Sequence, residues 1–89
     1  MAVLTYSYDL VPNVRTLVVP ASISVQHVCI HNHDHNQNKE IFVGGPDVTV
    51  DNGMHAVATQ TNVVQLLSGD DLYAITAQTG TNLRILVVR

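Results

Sequence analysis

Apolar and polar residues alternate with a period of two along much of this chain, which is typical of β-strands with one buried face. The longest alternating stretch covers residues 23–32. Further short strands are predicted at residues 14–19, 40–43, 48–50, 55–60, 62–67, 72–77 and 83–88. In the longest stretch we expect one face to carry Ile23, Val25, His27, Cys29 and His31, and the other to carry Ser24, Gln26, Val28, Ile30 and Asn32.

Turn signals separate these stretches at intervals of about 8–12 residues, the spacing of a sandwich or small barrel. The polar residues 33–39 and 79–82 are each expected to close a hairpin. Gly44 and Gly45 are expected to adopt backbone angles closed to other residues, and Asn52-Gly53 predicts a type I′ turn. The predicted fold is all-β: a small antiparallel β-sandwich of seven or eight short strands, jelly-roll-like or Greek-key.

The first 13 residues form a segment ahead of the predicted sandwich domain, which covers residues 14–89. Tyr6, Tyr8 and Leu10 alternate with Ser7 and Asp9, so the segment is either a strand or an extended arm that reaches another subunit. Aromatic residues are enriched at protein interfaces. Tyr6, Tyr8 and Leu10 are therefore the candidate interface residues, with packing inside one subunit as the equal alternative.

The composition favours association with protein partners. Charged residues make up 12% of the 89 residues and hydrophobic residues 46%, whereas charged residues usually make up about 25% of a globular domain. The four Lys and Arg residues are spread along the chain, so phosphate contacts with nucleic acid are not expected. The sequence has neither a signal-peptide pattern nor the ~20 apolar residues of a membrane span. We therefore expect no membrane partner and synthesis in a cytoplasm.

Histidines recur at alternate positions at His31, His33 and His35, with Asp34 inside the run. In a continuous strand these side chains would be about 6.6–7 Å apart per step, which is wide for ligands of one ion with Zn–N distances of ~2.0–2.1 Å. A curled loop would bring His33 and His35 together, so these two are the candidate metal ligands. The favoured interpretation is a polar hairpin tip without metal, and no cofactor is expected.

The other reactive side chains favour structural roles. Cys29 lies between apolar residues, and a buried free cysteine behaves as a small hydrophobe; a pair with His27 or His31 is the catalytic alternative. Four aspartates lack the spacing of a calcium loop and are typical of turns; they are Asp47, Asp51, Asp70 and Asp71. We therefore expect a binding or structural protein and not an enzyme.

Several of these marks occur in a characteristic order. An Asn-ended strand at Asn32 and a polar loop precede an apolar strand that runs into Gly44-Gly45-Pro46-Asp47-Val48-Thr49. The turn Asn52-Gly53, the run Ser68-Gly69-Asp70-Asp71-Leu72-Tyr73-Ala74-Ile75 and a Val/Leu-rich strand at residues 83–88 follow. Over residues 14–89 this order resembles that of small virion proteins of tailed bacteriophages. The histidine run and the tyrosine-bearing first segment lie outside the pattern.

This resemblance implies a β-sandwich that decorates or cements a phage head, or forms the base of a head fibre. We therefore expect a structural virion protein on the outer surface of the head. Its expected partners are the major capsid protein and itself, as a homotrimer that stabilises the shell at symmetry axes. The alternatives are a tail, baseplate or fibre-base module that binds a host-surface glycan, and a metal-dependent protein built on the histidine run.

Overall fold

Eight strands form two four-stranded antiparallel sheets in the computed structural model, which describes residues 2–33, 39–56 and 61–89. Sheet A has the order β1-β8-β3-β6, and sheet B has the order β2-β7-β4-β5. These orders are those of an eight-stranded jelly roll, so the predicted all-β sandwich is confirmed. The strands are β1 (Val3–Leu10), β2 (Thr16–Val19), β3 (Gln26–Asn32), β4 (Ile41–Gly44), β5 (Met54–Ala56), β6 (Thr61–Leu66), β7 (Leu72–Ile75) and β8 (Thr81–Val88).

The core lies between the two sheets, because each strand turns its alternate apolar side chains inward. In β3, Val28 and Ile30 are buried while His27 lies exposed on the outer face, as the alternation predicted. The predicted strand at residues 23–32 nevertheless begins only at Gln26. The buried cluster consists of Leu10, Val18, Val19, Val28, Ile30, Ile41, Val43, Ala56, Leu66, Leu72, Ala74, Leu83, Ile85 and Val87.

Asn32 is a fully buried amide at the end of β3. Its Nδ2 donates hydrogen bonds to the carbonyl oxygens of Lys39 and Ala56, at 3.2 and 3.1 Å. A buried polar group is tolerated where such partners satisfy it. Asn32 therefore ties the end of a strand in sheet A to the segment that enters β4 and to β5, both on the sheet B side.

Both predicted hairpins are wrong. The strands on either side of residues 33–39 are β3, which belongs to sheet A, and β4, which belongs to sheet B. Likewise β7 lies in sheet B and β8 in sheet A, so residues 79 and 80 lie in a connection between the sheets, and residues 81 and 82 already belong to β8. An alternating strand can bury its apolar face from either sheet, and local pattern therefore does not choose its partner. Among the described strands, β4 and β5 are the only sequence neighbours that pair.

The segment between β4 and β5 packs over the outer face of sheet B. The predicted strand at residues 48–50 is wrong: this segment contains no strand, and Val48 is buried. A Cβ on Gly44 would meet Val48 Cγ2 at 3.0 Å, and one on Gly53 would lie 2.6 Å from Phe42 Cβ. Glycine is therefore needed here because the backbone approaches its neighbours closely.

The predicted backbone angles in this segment are also wrong. Among the described residues, positive φ occurs at Asn13, Gly69 and Gly80. Gly44 and Gly45 do not adopt it, and Asn52-Gly53 is not a type I′ turn, which requires positive φ at both central residues. Asn52 instead folds the segment through its side chain, which accepts from the Thr49 N–H at 2.7 Å and donates to the Asp47 carbonyl at 3.3 Å.

Of the predicted strand at residues 55–60, the structure places residues 55 and 56 in β5, and residues 57–60 lie outside the described part of the chain. Over the described ranges, no helix is long and apolar enough to cross a membrane.

Candidate functional site

A groove of about 480 Å³ lies on the outer face of sheet A, and we call it the sheet A groove. The strand register builds it in two rows. Leu86 of β8 is opposite both Thr5 of β1 and Cys29 of β3. One step along, His31 of β3 is opposite Arg84 of β8 and Thr61 of β6. The groove is lined by Thr5, Cys29, His31, His33, Thr61, Arg84, Ile85 and Leu86.

Two imidazole rings form one wall of the groove. The His31 and His33 ring centroids are 5.5 Å apart, and the rings are tilted by 56°. His31 Nδ1 lies 3.3 Å from Thr61 Oγ1, within hydrogen-bond distance. The His33 N–H donates to the Asn82 carbonyl at 2.9 Å, which continues the β3–β8 pairing beyond Asn32. This wall therefore offers ring faces and polar edges to a ligand.

Polar and charged side chains of β8 and β1 lie on the other side of the groove. Arg84 Nε donates to Asn82 Oδ1 at 2.9 Å, and Asn82 Nδ2 donates to Asp9 Oδ1 at 2.8 Å. Asn82 therefore orients the Arg84 guanidinium and also engages the Asp9 carboxylate. Arginine is suited to recognise planar anionic groups through its fork of N–H donors.

The candidate metal ligands fall only partly within the structure. His33 lies in the sheet A groove, whereas His35 lies outside the described residues. In the described ranges, no group of three or more His, Cys, Asp or Glu side chains is placed to hold a metal ion. The metal assignment to His33 and His35 therefore stays a prediction.

Cys29 is half-buried on the floor of the groove and does not belong to the core between the sheets. It shares the outer face of β3 with His27 and His31, as the alternation predicted. A catalytic Cys–His pair needs the base within hydrogen-bond reach of the sulfur. The catalytic alternative stays a prediction, and we assign Cys29 to the groove floor.

The candidate interface residues Tyr6, Tyr8 and Leu10 lie on the inward side of β1. Leu10 is buried, and the two tyrosines are half-buried against the core with ring centroids 6.0 Å apart. The Tyr8 hydroxyl donates to the Val18 carbonyl at 2.9 Å, which links the edges of the two sheets. Burial, and next the charge of an ionised Tyr6, raise the pKa of Tyr8 above its usual 10.0. Their role toward another subunit stays a prediction.

A second surface was missed from the sequence: an apolar end of the sandwich formed by Ile23, Val25 and Leu67. Ile23 is 94% exposed, and all three are large exposed hydrophobic residues. The Gly69 N–H donates to the Ser22 carbonyl at 2.9 Å and holds the two segments together. The sequence carried a signal, because Ile23 and Val25 fall at the alternate positions of the face predicted to carry His27, Cys29 and His31.

Sheet B carries a smaller outer depression beside β4, lined by Glu40, Phe42, Val50, Ala77 and Gln78. The Phe42 and His55 rings stack there with centroids 5.1 Å apart. His55 Nε2 lies 3.9 Å from Glu40 Oε2. Exposed pairs at this separation contribute little to stability, so we regard this depression as a minor surface.

The comparisons with known proteins return no match. No family model matches the chain, and neither a curated protein nor a solved structure matches it significantly.

Proposed function

We propose that this chain is a structural virion protein that decorates the outside of a phage head and stabilises the shell through contacts between subunits. The proposal begins with the ordered sequence marks, which resemble those of small phage virion proteins. Several of these marks hold the jelly roll together: Asn32 links the two sheets, and Gly44 and Gly53 admit Val48 and Phe42. The resemblance is thus consistent with a shared scaffold, and jelly rolls are common in viral capsid proteins.

Because fold alone does not give function, the apolar end carries the proposal. Full burial of an exposed Ile side chain is worth about 1.5–3 kcal/mol. Ile23 is available for this gain because it is 94% exposed on a connection between strands. The exposed Val25 and Leu67 lie on the two segments that the Gly69–Ser22 hydrogen bond joins. An exposed apolar surface on a β-sandwich suits a protein that binds to a preformed shell, because each bound copy stabilises the shell by mass action.

The decisive experiment images the particles that the genome encoding this chain produces. We expect cryo-EM density for the sandwich on the outer surface of the head, and the chain among the proteins of the purified particle. If the chain is missing from the particle, the proposal is wrong. If it lies on the tail, the second candidate replaces it.

An add-back experiment tests the proposed contact. Particles made without this chain are mixed with purified protein, and head binding is measured by co-sedimentation. We expect Ile23→Ser to weaken binding. Val63→Ser is the matched control, because Val63 is also strongly exposed but lies on the outer face of β6. Equal binding by both variants would remove the apolar end from the proposal.

The sheet A groove favours the second candidate, a fibre-base or tail module that binds a host-surface glycan. Planar rings at His31 and His33 and the Arg84 guanidinium border a shallow concave surface on a rigid sheet. Sugars, and acidic sugars in particular, are recognised by such combinations of ring faces and hydrogen-bond donors. A glycan array probed with the wild type and Arg84→Ala checks this candidate, and binding without dependence on Arg84 contradicts the assigned groove.

A further inference from the structure

β1 is a long, unprotected edge strand of sheet A. It pairs with β8 over eight consecutive positions, from Val3–Val88 to Leu10–Thr81, without a bulge. Over the described residues the other edge strands are shorter: six residues in β6, four in β2 and three in β5. Proteins usually shield exposed edges with lysine, proline, bulges or short strands. Within β1 none of these devices is present, and Asp9 is its one charged residue.

The free hydrogen-bonding groups of this edge can be assigned. Ala2 and Arg89 exchange both backbone hydrogen bonds, at 2.5 and 2.9 Å. Because bonded and non-bonded positions alternate in an antiparallel pair, Leu4, Tyr6, Tyr8 and Leu10 also bond to β8. The N–H and C=O groups of the alternate residues therefore point away from β8, and in the described part of the chain they have no other partner. These residues are Val3, Thr5, Ser7 and Asp9.

We propose that β1 pairs antiparallel with β1 of a second copy of this chain about a two-fold axis at Tyr6. In this register Thr5 lies opposite Ser7 of the second copy, and Val3 lies opposite Asp9. Every outward N–H and C=O group of the strand then has a partner, which gives roughly eight hydrogen bonds across the axis. If the register is shifted by two residues in either direction, one of the four outward-facing residues lies opposite a position beyond the end of β1.

The side chains fit the same register. Opposing residues lie on one face of the joined sheet, so the Thr5 and Ser7 hydroxyls meet on the outer face. Asp9 faces Val3 and not a second carboxylate, and its own Asn82 already donates to it at 2.8 Å. On the inner face Tyr6 meets Tyr6 and Leu4 meets Tyr8, and all three side chains are half-buried in the single chain. Pairing buries them further, which gives the tyrosines the interface role that the sequence predicted.

This arrangement differs from the trimer expected from the sequence. A self-complementary strand about a two-fold axis accommodates two copies, the commonest symmetry of soluble homo-oligomers. It joins the two copies of sheet A into one eight-stranded sheet, shares only Thr5 with the lining of the sheet A groove and leaves the apolar end outside the pairing. The dimer therefore does not depend on the proposed virion role.

Native mass spectrometry and analytical ultracentrifugation of the purified chain test the proposal. We expect a dimer at micromolar concentration. Ser7→Pro removes an N–H that points away from β8, a change that an edge position tolerates. It removes two bonds from the dimer and places a ring at the strand edge, so we expect its dissociation constant to rise about a hundredfold or more. Val63→Pro is the matched control: Cys29 bonds to β8, so its β6 partner Val63 turns its N–H away from β3 at the other edge of sheet A, and this variant should leave the dimer intact.

A disulfide experiment checks the register. In a Cys29→Ser background, Thr5→Cys with Ser7→Cys places cysteines directly opposite each other in the dimer, about 5.5 Å apart between Cα atoms, within disulfide range. We expect oxidation to give a covalent dimer. Ser7→Cys with Asp9→Cys, in the same background, should not crosslink. A monomeric or trimeric wild type, an unchanged dissociation constant in a folded Ser7→Pro variant, or the reverse crosslinking pattern would overturn the proposal.

Discussion

Gly53 lies against Phe42 so closely that a Cβ on the glycine would stand 2.6 Å from the Phe42 Cβ. The same added carbon would be 2.8 Å from Val48 Cγ2. Phe42 faces outward from β4, and Val48 is buried between Gly44 and Gly53. The contact between Gly53 and Phe42 is thus what fastens the segment after β4 onto the outer face of sheet B.

Gly53→Ala should therefore destabilise the protein. The methyl group would overlap Phe42 Cβ, which is fixed to the backbone, and would crowd the buried Val48 side chain. Overpacking of this kind costs about 1–3 kcal/mol. Gly45→Ala is the matched control, because its Cβ would lie 3.4 Å from Asp47 Oδ1 and its φ is not positive. Urea denaturation of both variants checks this prediction. Equal urea midpoints would show that the close approach of Gly53 to Phe42 does not limit stability.

Asn32→Asp should be among the most damaging single-atom changes in the chain. It replaces the donating amide with an oxygen beside the carbonyl oxygens of Lys39 and Ala56, in a site with no solvent exposure. A carboxylate oxygen held against two carbonyl oxygens away from water costs about 3 kcal/mol or more. The comparison is Asn13→Asp, at an exposed turn residue. Thermal unfolding at neutral pH should separate the two variants clearly, and a similar Tm for both would contradict the bridging role.

Two buried threonines should respond in opposite ways to replacement by valine. Thr76 Oγ1 donates to the Glu40 carbonyl at 2.6 Å and accepts from the Gln78 N–H at 3.2 Å. Thr81 Oγ1 is buried and has no hydrogen-bond partner among the described residues. We expect Thr76→Val to lose about 1–3 kcal/mol and Thr81→Val to be neutral or stabilising. Chemical denaturation measures both, and a loss at Thr81 as large as at Thr76 would argue against this assignment.

Alkaline pH should weaken the fold through Tyr8. Burial, followed by the charge of an ionised Tyr6, raises the pKa of Tyr8 above 10.0 in the folded state. The folded chain therefore holds the phenol proton more tightly than the unfolded chain. Its contribution to stability is complete below pH 10.0 and is lost as the pH rises through the folded-state pKa.

Tyr8→Phe removes this titrating group together with the hydrogen bond to the Val18 carbonyl. We expect the variant to be less stable than the wild type at neutral pH and to lose less stability between about pH 9 and about pH 11. Unfolding free energies measured across that range test the sign. Parallel curves for the two proteins would mean that Tyr8 does not carry the alkaline loss.

The sequence predicted which residues of β3 share a face, but neither which face is buried nor which strands pair with β3. Val28 and Ile30 alternate with His27 and Cys29, and a period of two assigns alternate residues to opposite faces of a strand whatever its neighbours are. The assignment of β3 and β4 to different sheets could not be predicted in this way, because both strands bury an apolar face in either arrangement. The sequence singled out the run that contains His31 and His33, but as a polar hairpin tip or a metal site and not as a groove; Arg84 and Thr61 join these histidines only through strand pairing.

By itself, the sequence determined an all-β chain of short amphipathic strands, since alternation and turn residues act over a few neighbouring positions. The tertiary structure decided which strands pair, why Gly53 must lack a side chain, and which apolar residues remain outside. These features depend on contacts between residues far apart in the chain, such as Phe42 with Gly53 or Tyr8 with Val18. Local preferences carry no information about such distances, so only the folded chain shows that β1 is an open edge and that Ile23 projects from the surface.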